Sequence, residues 1–197
     1  MLKHVLNPQF RIWLAIVGTG TLVLGGAYTM VQQATRQAAN DWPRTTIQLV
    51  KKQLEAGGSP GEVVTSATEA PADLRQDLHG FVIVTDNSHG VLASSASLDG
   101  QTPLPPEGVF AYTAAHGTDR ISWQPKDDVR LATVLSSYKS TQNSGFILAG
   151  QSLKLYEERV DIYGVLALAA WAAMFGWATL ILLLPAKFLP DPKRRRR

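Results

Sequence analysis

Tyr112, Arg120, Trp123, Arg130 and Tyr138 are the residues whose types suit recognition of a small ligand in this 197-residue chain. A guanidinium offers a fixed fork of donors to a carboxylate or other anion. Aromatic rings supply rigid apolar walls of the kind that line ligand pockets. The plainer reading makes Trp123 and Tyr112 core packing and leaves the arginines on the surface. Catalysis finds less support. The four histidines, His4, His79, His89 and His116, are dispersed along the chain. The pairs Ser94-Ser95 and Ser136-Ser137 lack the sharp Gly-flanked turn of a hydrolase nucleophile. No carboxylate pair stands out for acid–base work. The absence of cysteine excludes a thiol nucleophile and a zinc–thiolate site. No enzyme, metal site or cofactor is expected.

The candidate residues need a sheet and a covering helix to position them. Ile47, Val50 and Leu54, spaced by three and four, predict one helix face over Thr46 to Ala56. Asp41-Trp42-Pro43 breaks the preceding helix or resets it, with Asp41 able to cap a new start and Pro43 in its first turn, and Gly57 to Gly61 ends the new helix. Gly61 to Ala72 reads as a short helix or a loop, and Asp73 to Leu78 as one helical turn. Phe81 to Thr85 and Val91 to Ser95 predict a hairpin across a four-residue turn. Glu107 to Ala115 follows as a helix, with a strand over Val109 to Thr113 as the alternative. Three more strands are expected at Arg120 to Gln124, Val129 to Ser137 and Gly145 to Ala149. The fold class is α+β, with a five-stranded antiparallel sheet and flanking helices.

Two stretches contain no Asp, Glu, Lys, Arg or His: Ile12 to Val31 and Ile162 to Ala186. About twenty apolar residues at 1.5 Å each cover the core of a bilayer. The expected division is an N-terminus over 1–11, membrane spans over 12–31 and 162–186, an outer domain over 32–161, and a basic tail over 187–197. The first apolar core is longer than a signal peptide requires, and no A-x-A site follows it, so an uncleaved anchor is expected. Eight Lys and Arg residues lie outside the central segment, against one acid, Asp191. The central segment holds the other eleven, with fifteen acids. Positive flanks mark the cytoplasmic side, so both termini are placed in the cytoplasm. Scattered basic residues in an acidic domain argue against nucleic acid as a partner.

Ala169-x-x-x-Ala173 and Ala172-x-x-x-Gly176 are small-residue pairs that permit close helix approach. They are equally read as the ordinary Ala and Gly content of a membrane helix. The tail from Lys193 to Arg197 suits anionic lipid. Ser152 to Asp161 is charged and helical, and Gly164 and Gly176 do not break it. The last helix of the outer domain is therefore expected to run straight into the second span, with Pro185 ending or kinking it.

Two strands, a helical connection and three further strands is the order found in PAS-like domains. Between two membrane spans it resembles the extracytoplasmic PAS-like or Cache-type sensor domains of bacterial two-pass receptors. Four phrases are similar to the sensor halves of bacterial histidine kinases: Phe81 to Asp86, Ser97 to Pro103, Ser122 to Pro125, and Gly145 to Leu153. The resemblance covers about Gln32 to Asp161. It implies a bacterial inner-membrane sensor whose outer domain binds a small molecule or partner, with a ligand pocket between sheet and covering helix. Such receptors continue into a HAMP, kinase or cyclase module, whereas only Lys187 to Arg197 remains here. The expected partners are therefore a second copy or a separate membrane or cytoplasmic effector. The rival expectation is a structural or assembly subunit of a larger membrane complex.

Overall fold

A computed structural model describes residues 8–141 and 143–183. Lys3, His4, Pro185, and the basic tail from Lys187 to Arg197 lie outside the described residues. The chain forms two units, Met1–Gln32 with Val160–Arg197, and Gln33–Arg159.

The first unit is built from α1 (Pro8–Ala38) and α5 (Lys154–Leu183), apart from the end of α1 and the start of α5. Both helices are long and apolar enough to cross a membrane, and their apolar windows are almost wholly unburied. Inside this unit they meet through large side chains. The Trp13 indole donates to the Thr179 hydroxyl at 3.2 Å, and the Trp171 indole donates to the Thr21 hydroxyl at 2.7 Å. Trp13 also meets Phe175 edge-on, with ring centroids 5.6 Å apart. Met174 lies against the bare face of Gly20. Ala169, Ala172, Ala173 and Gly176 are not part of this contact. All four are exposed, and a methyl group on Gly176 would meet nothing within 4 Å.

The second unit is a sheet with helices on both faces. Its five strands are β2 (Phe81–Asp86), β3 (Val91–Ser94), β5 (Thr118–Lys126), β6 (Val129–Lys139) and β7 (Ser144–Ser152). They are antiparallel in the order β3-β2-β7-β6-β5. Alternate residues of a strand point to opposite faces. Phe81, Ile83, Leu131, Leu135 and Leu148 therefore form one cluster with Phe110 of α4 (Glu107–His116). Val82, Val84, Val134 and Ile147 form another with Ile47, Val50 and Leu54 of α2 (Asp41–Glu55) and with Val63 and Val64 of α3 (Pro60–Ala67). β2 and β7 are buried on both faces almost throughout, as strands covered on two sides must be. β5 alternates between exposed and half-buried, as an edge strand does.

Most predicted elements are present, with informative differences. The break between α1 and α2 falls at Ala39-Asn40, and Pro43 lies in the first turn of α2 as expected, with Asn40 rather than Asp41 at the cap position. Pro at the third helical position costs no intrahelical hydrogen bond, because the N–H groups of a first turn have no partner within the helix. Gly61 to Ala72 resolves to the short α3 and a connection. Glu107 to His116 is helical, not a strand. β5 extends past Pro125 to Lys126, with an irregular register between Trp123 and Lys126. Two short strands, β1 (Ala72–Asp73) and β4 (Ala96–Ser97), pair in parallel outside the main sheet.

Gly145 pairs with Asp86 in the ladder, and a Cβ there would overlap the backbone of Thr85 and Asp86. Backbone cannot move aside as a flexible side chain can. Gly145→Ala is expected to destabilise the protein by about 1–3 kcal/mol in denaturant unfolding. Gly108→Ala, on α4 with open space around it, is the control and should leave stability unchanged or slightly raised.

Candidate functional site

The expected pocket between sheet and covering helix is occupied by side chains. Phe110 descends from α4 among Phe81, Ile83, Leu135, Phe146 and Leu148, all buried. His89 closes the hairpin end of this cluster. Its ring stacks on Phe110 with centroids 4.2 Å apart and meets Phe146 at 5.7 Å. His89 sits at φ 66° in a turn that Asp86 organises. One Asp86 carboxylate oxygen accepts from the N–H groups of Ser88 and Gly90, each at 2.8 Å.

A cleft opens instead at the free edge of β5. Arg44, Tyr112, Thr118, Asp119, Arg120 and Val134 line a volume of about 400 Å³. Gly117 places the start of β5 here. At φ 83° it ends α4, its N–H donating to the Thr113 carbonyl at 2.7 Å. Its own carbonyl accepts from the Ser137 N–H at 3.1 Å, which fixes the turn onto β6. Arg120 pairs with Val134, so its side chain leaves on the face that α2 covers. Asp119 pairs with Leu135 and faces the α4 side. Tyr112 is stacked on His116, with centroids 4.0 Å apart.

Two of the five sequence-predicted ligand residues, Tyr112 and Arg120, are therefore brought together. The other three lie elsewhere. Trp123 packs against the α4-side cluster, and its indole N–H donates to the Thr133 hydroxyl at 3.0 Å. Arg130 pairs with Glu157 in the first turns of α5. Tyr138 is buried in the α2-side cluster, 4% exposed, and its hydroxyl has no partner among the described residues. Burial first, and the Asp86 charge second, hold that phenol above its ordinary range. Among the described residues no group of three His, Asp or Glu side chains gathers as a metal site would require. Arg44 and Asp119 carried no local signal in the sequence, because the cleft joins α2 to a strand far along the chain.

A second arrangement lies where β7 ends. The Gln151 side-chain amide donates to the Ala39 carbonyl at 2.8 Å and bonds the Tyr156 hydroxyl at 2.9 Å. Ala39 is fully buried at the break between α1 and α2, and Tyr156 belongs to the first turns of α5. Ala39, Ala132, Leu153 and Tyr156 pack around the contact. One residue of a central strand thus holds the end of one long helix and the start of the other.

No protein-family model matches the chain, and no curated protein matches it.

Asp99 ties the loop after β4 to two distant segments. It accepts from the Arg75 guanidinium at 2.7 Å and from Lys126. Those two hydrogen bonds hold its carboxyl well below the usual carboxylate range. A carboxyl depressed on folding adds stability that is complete above its unfolded pKa, about 3.9. That stability is lost as pH falls through the lower folded value. Unfolding titrations should therefore show stability declining below about pH 4, with a shallower decline in Asp99→Asn. An unchanged acid limb in the variant would assign the decline to other groups.

Proposed function

We propose that this chain is a two-pass membrane sensor or signalling protein with an extracytoplasmic PAS-like domain. That domain binds a small molecule or partner and passes a conformational change through α1 and α5 to a separate effector. The observation that carries this reading is the Gln151 contact, which joins the sheet to the end of α1 and the start of α5. A sheet that moves cannot leave those two helix ends where they were. The order of the five strands, with the first and last side by side at the centre, supports the PAS-like part. Two apolar, unburied helices and the basic flanks of the sequence support the membrane placement, with the sheet outside and both termini in the cytoplasm.

The chain has no cysteine, so single introduced thiols report topology cleanly. In intact bacterial cells a membrane-impermeant maleimide should label Ser88→Cys, in the exposed β2–β3 turn. Pro8→Cys, at the start of α1, should react only after the inner membrane is permeabilised. Equal labelling of both sites, or labelling of Ser88→Cys only after lysis, would overturn the placement.

A further inference from the structure

We infer that the cleft at the β5 edge binds a small monocarboxylate with an apolar body, gripped between Arg44 and Arg120. The inference rests on the sensor reading above for its consequence and on the cleft itself for its chemistry. Arg75 and Arg130 are each paired with an acid. Arg44 and Arg120 make no ion pair among the described residues, yet both line one cleft from different elements, α2 and β5. Arg120 leaves the sheet on the side that α2 covers, which is the side from which Arg44 comes. An unpaired guanidinium is a fork of donors awaiting an oxyanion, and a carboxylate fits it bidentately.

Charge narrows the ligand further. Asp119 is the one acid in the lining, and one of its oxygens already accepts from the Arg120 backbone N–H at 2.7 Å. Two guanidinium groups against one carboxylate leave a single net positive charge, which suits a monoanion better than a polyanion. Tyr112, half exposed, supplies the apolar wall of the same cleft, and buried Val134 forms its floor. The ring of Tyr112 is held by its stack on His116, so little ordering is required on binding. The cleft, about 400 Å³ and open to solvent, has room for a small ligand held mainly by its polar groups. A ligand bridging Arg44 and Arg120 would fasten α2 to the outer strand. Because α2 follows α1 directly at Asn40, that fastening acts next to the helix end that Gln151 holds.

The test is calorimetric titration of the full chain in detergent with benzoate, benzamide and inorganic phosphate. Benzoate should bind with one-to-one stoichiometry. Benzamide, its uncharged isostere, and phosphate, which lacks the apolar body, should each bind at least about tenfold more weakly. Arg44→Gln and Arg120→Gln should each weaken benzoate by about tenfold, and Arg120→Lys should fall between wild type and Arg120→Gln. Arg75→Gln, remote from the cleft, should leave binding unchanged. Circular dichroism confirms that each variant is folded before titration. The inference fails if benzoate does not bind, if benzamide or phosphate binds as well, or if neither cleft variant loses affinity. Such a failure, with Ser88→Cys still labelled from outside, removes this ligand site and leaves the sensor reading standing.

Discussion

The Ala39 carbonyl needs a donor, and much of the arrangement around it follows from that need. α1 ends where the chain turns into α2, and a helix end leaves carbonyls without intrahelical partners. Ala39 is fully buried, so water cannot serve. A buried carbonyl without a partner costs about 1–3 kcal/mol. Gln151 supplies the donor, and it can do so only because β7 runs through the middle of the sheet and ends at this corner. The same amide meets Tyr156, and the Leu153 N–H donates to the Arg130 carbonyl at 2.8 Å. The start of α5 is thereby registered against β6 and β7.

Coverage of both sheet faces decides where a ligand can go. α2 and α3 fill one side and α4 the other, with interlocking aliphatic and aromatic side chains. A tightly packed interior leaves the rim. β5 is the rim strand beside α4, and the cleft there collects residues from α2, α4, β5 and β6. On the proposed reading, binding at this edge changes how α2 is held, and α2 is separated from α1 only by the turn that Gln151 anchors.

The strands and helices were legible where a short period governed them. Ile47, Val50 and Leu54 announce a helix face, and Phe81 to Thr85 a buried strand, because burial repeats locally. The parallel pair β1–β4 was not legible, since two residues carry no period and their pairing depends on distant backbone. Arg130 read as a ligand residue because sequence does not show that Glu157 folds back beside it. Trp123 read the same way because its partner, Thr133, lies across the ladder. Ala169, Ala172, Ala173 and Gly176 of α5 are exposed, and the contacts with α1 come from Trp171, Met174, Phe175 and Thr179, with Gly164 close to Tyr28. Two indole hydrogen bonds cross that face, and small-residue spacing alone does not encode them. Gln151 gave the least warning: one polar residue at the end of an apolar run, whose importance comes entirely from where the strand ends.

Hydrogen–deuterium exchange on the full chain with Gln151→Leu tests most directly whether one contact holds both helix ends. The account predicts that amides of Thr35 to Ala39 and of Tyr156 to Arg159 lose protection together. Amides in the middle of β6 and β7 should stay protected. Unchanged exchange at both helix ends, or a change at one without the other, would contradict it.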